Sequence, residues 1–520
     1  MRRANKRVWL LGSMAAAAVG LAACGGGGGG GTADSGATGG TGTGTTGGTG
    51  GTGGACVAAS QQTPVAVTQV GVLARSAAVG VPTGDVGSLK ARGSLAPRAR
   101  QIALAEVTPA KLAAETSQTG LGGGARKVGF ARNLPTAGLD WQTLADGRQA
   151  ASLSVTSPSA KALRLGLLVR SLPANAIVRV YAQGASQGFE LAGADILSTL
   201  KATAAAGATG DAARTYWAPA VNGAEVTVEV SLPAGADAAK VDVAVPQLSH
   251  IFSLPTPDDG ATATVNRKIG EAGACEVDAA CDANFQAESN AVARIVFVEQ
   301  GSAFQCTGTL LNDQLNSGTP YLLTANHCIS TQAAAASLQS YWFYRAPTCG
   351  AGTLNPAATM RSGGATLLYA SANTDTSFLR LNTPAPAGAT FAGWAVAAPP
   401  PGAPVGTLHH PDGDLLKLSQ GTVKSYQNCS VTSTGLTCST STDGSGSFYD
   451  AVFTTGSTEE GSSGAALFQT VGGSRYVVGT LYGGSSSCSA RSGSNIYGRF
   501  DAAFNGALKQ WLAAPVVPTC

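Results

Sequence analysis

Three residues far apart in a 520-residue chain are of the types that break an acyl bond: His327, Asp375 and Ser463, in that order. An imidazole within hydrogen-bond reach of an alcohol can take its proton as the alcohol attacks a carbonyl. A carboxylate behind the imidazole fixes its tautomer and stabilises its cation. His327 stands in "YLLTANHC", at the end of an apolar run and directly before Cys328. Ser463 stands in "TEEGSSGAALF", between Gly461 and Gly464. A tight turn there would aim the backbone N–H groups of Gly461 and Ser463 into one cavity as an oxyanion hole. Asp375, in "ANTDTSFLRL", enters an apolar strand. Alone, each signal is weak: the chain has 70 glycines, and an aspartate opening a strand is common. Their order is informative, because an α/β-hydrolase needs its histidine after the nucleophile and the last histidine here is His410.

Such a site needs stiff mounts. "CTGTLLNDQLNSGTPYLLTANHC" reads as strand, loop, strand, with Cys306 and Cys328 near its ends, and a bridge between them would pin His327. Eight of the eleven cysteines fall between Cys275 and Cys488, an even set that reads as a disulfide framework with many possible pairings. A metal site fails on spacing, since no CxxC or HExxH pattern occurs, and no cofactor is called for. His250 reads as structural, and Trp394 as core packing ahead of a place in the substrate cleft.

The rest of the chain is loop-rich and strand-biased, with only 12% charged residues. A net charge of +3, without basic blocks or a phosphate-cradling loop, argues against nucleic acid and nucleotides. Residues 1–24 form a basic head, an apolar run and "LAAC", with the form of an export signal. Residues 25–56 are a Gly/Thr-rich tether that cannot bury enough apolar surface to fold. Region 57–265 holds alternating strands such as "AEVTVEVSLP", which puts Val226, Val228 and Val230 on one face, and suggests a β-sandwich. Region 266–520 carries the triad.

"CTGTLLN…PYLLTANHC", "NTDTSFLRLN", "FAGW", "LHHP", "GSSGAALF", "LYGGSSSCSA" and "YGRF" together resemble the bacterial lysyl endopeptidases over about residues 270–512. The resemblance implies an all-β chymotrypsin-like double barrel acting on protein or peptide substrates, preceded by a β-sandwich-like prodomain. It further implies bridges Cys275–Cys488, Cys281–Cys349 and Cys306–Cys328. It also implies that His409 and His410 are scaffold or rim residues. Cys429 and Cys438 are extra to that pattern, and their spacing suggests a local staple; Cys56 and Cys520 remain over. Lysine-specific members carry an aspartate where this chain has Asn495 and a histidine where it has Tyr482, beside Gly483, while Glu459 matches a family glutamate. A preference for Lys or Arg before the cut therefore rests on an incomplete set. "LAAC" resembles the lipoprotein signal, which implies a lipidated Cys24 and an envelope or secreted location. Arg267 and Lys268 precede Gly270, where the family's mature chain begins. The competing reading is a silent surface binding protein on a protease scaffold.

Overall fold

Runs rich in Val, Leu and Ala between glycine and proline turns become strands almost throughout, because such side chains pack well on a pleated surface. The computed structural model describes residues 69–74, 88–91, 99–117, 125–135, 138–185, 187–253, 269–432 and 435–513. Cys24, Cys56, Cys520, the tether and the Arg267–Lys268 pair lie outside the described residues.

The N-terminal region contributes β1 (Arg126–Asn133), β2 (Gln149–Thr156), β3 (Ala162–Ser171) and β4 (Ile177–Ala182). It continues with β5 (Gln187–Ala192), β6 (Glu225–Leu232) and β7 (Asp242–Ile251). One sheet runs β5–β4–β6–β2 and another β3–β7–β1. Leu153, Val226, Val228 and Val230 of the first share a core with Leu163, Leu165 and Leu248 of the second. Each such side chain stabilises by about 1.5–3 kcal/mol when fully buried. The alternation of β6 implies a wet outer face, but Thr227 and Glu229 are buried as well. Arg179 of β4 covers that face, donating to Glu229 Oε1 (3.0 Å) and pairing with Glu190 (2.9 Å), so the carboxylates leave water already partnered.

The following strands are β8 (Val292–Glu299), β9 (Ser302–Leu311), β10 (Tyr321–Ala325), β11 (Gln339–Trp342), β12 (Ala365–Ser371) and β13 (Thr376–Leu381). They pair in the order β11–β8–β9–β10–β13–β12. Next come β14 (Pro404–His409), β15 (Lys417–Thr432), β16 (Gly435–Thr440) and β17 (Phe448–Thr455). The last are β18 (Ala466–Val471), β19 (Ser474–Gly484) and β20 (Asn495–Arg499). In this set the order β19–β18–β14–β15–β17–β20 returns from β20 to β19, closing a barrel and removing its edges, while β16 forms a hairpin with β15.

The two regions share a sheet. β1 adds antiparallel to β9, with Gly129 opposite Ala303 and Arg126 opposite Gln305. Arg126 also pairs with Asp412 and, at 3.4 Å, with Glu271. Among the described residues four disulfides brace the fold: Cys275–Cys488, Cys281–Cys349, Cys306–Cys328 and Cys429–Cys438. Trp394 is fully buried against Phe500 and Phe504, and its indole N–H donates to Asn312 O (2.7 Å), so it is a core residue. His250 is buried on the Phe130 ring with Nδ1 at 2.7 Å from Ser157 Oγ, and burial lowers its pKa to about 4.

Candidate active site

His327 lies just past the end of β10, and the Cys306–Cys328 bridge ties that end to β9. Its backbone N–H donates to Asp375 Oδ1 (2.9 Å), and its Nδ1 lies 2.8 Å from Asp375 Oδ2. A carboxylate only accepts, so the proton sits on Nδ1 and Nε2 keeps its lone pair. Asp375 directly precedes β13, which pairs with β10, and that pairing carries the carboxylate to the imidazole. The residue is 2% exposed and holds φ +45°, a left-handed conformation that aspartate tolerates better than most side chains. Its backbone oxygen accepts from Asn326 N–H (3.0 Å), so the strained residue is held from both ends.

Ser463 sits on a loop latched to both β9 and β19. Thr307 of β9 donates its N–H to Ser463 O (2.8 Å) and its hydroxyl to Gly461 O (3.0 Å). Gly464 N–H donates to Leu481 O of β19 (2.8 Å). Gly461 and Gly464 take φ +88° and +83°, and a Cβ on Gly464 would strike Thr324 Oγ1 and Thr307 O, so only glycine fits there. The N–H groups of Gly461 and Ser463 are buried and donate to no group among the described residues. Two unspent amides beside a serine are what a developing oxyanion requires.

The structure brings His327 and Asp375 into direct contact, whereas the Ser463 hydroxyl donates to Tyr482 O (3.2 Å) and not to the imidazole. The Tyr482 ring stands edge-on to the His327 ring at 5.0 Å, so Tyr482 is the common neighbour of both. A serine hydroxyl is a free rotor, and such hydrogen bonds are often loose until substrate arrives. Burial, followed by the nearby Asp375, raises the Tyr482 pKa.

Asn495 opens β20 fully buried, where Oδ1 accepts from Thr458 Oγ1 (2.6 Å) and Nδ2 donates to Ala451 O (3.0 Å). Glu459 accepts from Gly273 N–H (3.0 Å), with burial raising its pKa. Gly483 lies in β19 opposite Ile496.

What holds Ser462 was not visible in any motif. The Ser419 hydroxyl donates to Ser457 O (2.6 Å), so His409 Nε2–H must donate to Ser419 Oγ (3.0 Å). Nδ1 then accepts from Ser462 Oγ (2.8 Å), which in turn accepts from Glu459 N–H (3.2 Å). Burial holds His409 near 3, so it is a neutral connector. His410 is likewise neutral, with Nδ1 at 3.0 Å from Asp414 O. The "LHHP" pair could have suggested this, but only two histidines with fixed tautomers in one buried turn would have told a chain of hydrogen bonds from simple packing.

Among the described residues, two groups of Cys, His and Glu are close enough to consider for a metal, around Cys306–Cys328 and Cys275–Cys488. Both contain a disulfide, whose sulfurs have no thiolate to offer.

Comparisons with known proteins fit this arrangement. The family model "Lysyl endopeptidase, C-terminal domain" matches residues 269–498, and "Lysyl endopeptidase N-terminal domain" matches residues 96–252. A lysyl endopeptidase of Pseudomonas aeruginosa is 34% identical over 366 residues, covering 68% of this chain and 72% of that protein. Among solved structures, the MamO protease domain of Magnetospirillum magneticum is 11% identical, covering 43% of this chain and 98% of its own, at a TM-score of 0.30. The thermostable serine protease AL20 from an extremophilic microorganism is 14% identical, covering 44% and 100%, at a TM-score of 0.29. The assignment rests on the sequence matches, which span both regions: the chain is a serine endopeptidase belonging to the lysyl endopeptidase family.

Proposed function

We propose that the chain hydrolyses peptide bonds through an acyl-enzyme formed on Ser463. The observation that carries this reading is the 2.8 Å contact between His327 Nδ1 and Asp375 Oδ2, which leaves Nε2 its lone pair. As substrate seats, the Ser463 hydroxyl leaves Tyr482 O for His327 Nε2 and its oxygen attacks the scissile carbonyl. The proton passes to Nε2, and Asp375 stabilises the imidazolium. The new oxyanion takes the N–H groups of Gly461 and Ser463. His327 then hands its proton to the leaving amine, the C–N bond breaks, and water repeats the sequence to release the acid. The cut follows a basic residue, with negative charge near Glu459 favouring it.

In this reading residues 57–265 are a prodomain and residues 266–520 the protease domain. Its support is the strand β1 laid on β9, because β9 also carries the Thr307 latch of the nucleophile loop. Cleavage after Lys268 would part the two, and Cys24 would hold the precursor at a membrane by its lipid. Labelling the intact chain with a fluorophosphonate and locating the adduct by mass spectrometry tests the reading. Label on Ser463, lost in His327→Ala, supports it; a folded chain that takes no label refutes it.

A further inference from the structure

The Gly461 N–H that the proposed mechanism uses belongs to the peptide unit joining Gly461 to Glu460. In a planar trans peptide the C=O and N–H point in opposite directions, so whatever holds the Glu460 carbonyl also aims the Gly461 N–H. The holder is a backbone N–H: Asp412 donates to Glu460 O at 2.7 Å. The next peptide unit, from Gly461 to Ser462, is held through its own carbonyl, which accepts from the Thr307 hydroxyl. Gly461 sits tight on the 410–413 turn, since a Cβ there would lie 3.0 Å from His410 O and 3.6 Å from Gly413 N.

Asp412 serves as that holder only while its own backbone keeps its place. It takes φ +51°, a left-handed conformation that aspartate tolerates better than most side chains, on the turn between β14 and β15. Its carboxylate pairs with the guanidinium of Arg126, which comes from β1 in the N-terminal region and also meets Glu271 at 3.4 Å. Arg126 is fixed in turn by the strand pairing that sets it opposite Gln305 of β9. Arg126, Glu271, Asp412 and Glu460 line one cavity, beside a Lys127 whose ammonium pairs with Glu115 (2.6 Å). Burial, followed by the Asp412 charge, raises the Glu460 pKa, and Arg126 opposes that rise. Without Arg126 the carboxylates of Asp412 and Glu460 would repel each other across the hydrogen bond that joins their backbones.

We propose that Arg126 is a positioning residue for the oxyanion hole: by holding Asp412 on its turn, it fixes the Glu460–Gly461 peptide with its N–H toward the attacked carbonyl. The proposal rests on the endopeptidase reading and assigns to that site a residue outside the region that carries the triad. In the intact chain the N-terminal region thus supplies part of what stabilises the transition state. Arg126 need not touch substrate to do so. A peptide plane that turns when its hydrogen bond is lost carries the N–H out of line, and a donor out of line stabilises an oxyanion little.

The test uses the intact chain, as wild type and as Arg126→Gln, with a peptide substrate that the wild type cleaves. The expected result is a kcat lower by about 10–10²-fold with KM changed by less than about threefold, because the lost stabilisation belongs to the transition state. A peptide aldehyde, whose adduct with Ser463 carries an oxyanion, should bind the variant more weakly by a similar factor, while the corresponding peptide alcohol binds both chains alike. Arg126→Lys restores the charge and should recover most of the kcat. If Arg126→Gln does not fold, Asp412→Asn removes the ion pair from its other end and keeps a side chain that tolerates the left-handed turn. That variant must weaken the aldehyde by about fivefold or more and leave the alcohol unmoved. An unchanged kcat overturns the assignment, as do aldehyde and alcohol losing affinity together, or a lysine variant as slow as the glutamine one. Fluorophosphonate labelling separates the failures. A labelled wild type with any of these results sinks Arg126 alone, and a folded wild type that takes no label sinks the endopeptidase reading beneath it.

Discussion

Thr307→Val isolates the latch that sets the oxyanion loop. The substitution keeps shape and β-branching and removes one hydroxyl. That hydroxyl donates to Gly461 O (3.0 Å) and accepts from His410 N–H (3.1 Å), all within a fully buried site. Valine leaves a carbonyl and an N–H without partners, and each orphaned group costs about 1–3 kcal/mol. The backbone bond from Thr307 N–H to Ser463 O survives, so the loop stays attached at its nucleophile and loosens at Gly461. In the proposed mechanism a misaimed Gly461 N–H weakens stabilisation made only in the transition state. We therefore expect kcat to fall by about 10–10²-fold with KM little changed, together with a loss of about 2–6 kcal/mol of stability. Thr307→Ser keeps the hydroxyl and should recover most of the kcat while remaining slightly less stable. Steady-state kinetics and urea denaturation read both quantities. A Thr307→Val chain that loses stability but keeps kcat refutes the latch, and so does a serine variant as slow as the valine one.

Three other outcomes follow from the same geometry. Asp375→Asn should lower kcat by about 10⁴-fold, because an amide in place of Oδ2 favours the tautomer that blocks Nε2; single-turnover kinetics with an unchanged rate would remove Asp375 from the triad. Replacing Cys306 and Cys328 by serine together should cost about 2–4 kcal/mol in urea denaturation and lower kcat as well, since the bridge mounts His327; stability loss at full kcat would make it a brace only. Burial pushes Glu276 from 4.5 up to about 8, so the folded chain holds a proton that the unfolded chain has released over that interval. The associated stability is complete below about pH 4.5 and lost as pH rises through about 8. The melting temperature of the wild type should then decline more steeply across that window than that of Glu276→Gln, and parallel profiles would count against a buried carboxyl of raised pKa.

The triad candidates were legible because order along the chain is itself a constraint: His327, Asp375 and Ser463 could be ranked against rival hydrolases before any contact was known. A period-2 alternation located β6, and an apolar run after Asp375 located β13. What stayed hidden depends on pairings between distant segments. The addition of β1 to β9 joins residues in the 120s to residues above 300, and nothing local in either strand specifies that partner. The buried outer face of β6 escaped because the alternation alone places Glu229 in solvent, and only the fold sets Arg179 and Glu190 beside it. Tyr482 matters to Ser463 through its backbone carbonyl, which every residue possesses, so no side-chain motif could reveal it. Glu276 belongs to no motif; only its burial without a hydrogen-bond partner sets it apart.

The most direct measurement is a crystal structure of the wild-type chain treated with a peptidyl boronate carrying lysine before the boron. The account predicts a bond from Ser463 Oγ to boron, one boron oxygen at about 3 Å from both the Gly461 and Ser463 N–H groups, and another turned toward His327 Nε2. It also predicts that the hydroxyl has left Tyr482 O. A boronate bound elsewhere, or bonded to Ser463 with its oxygens turned away from both amides, would contradict it.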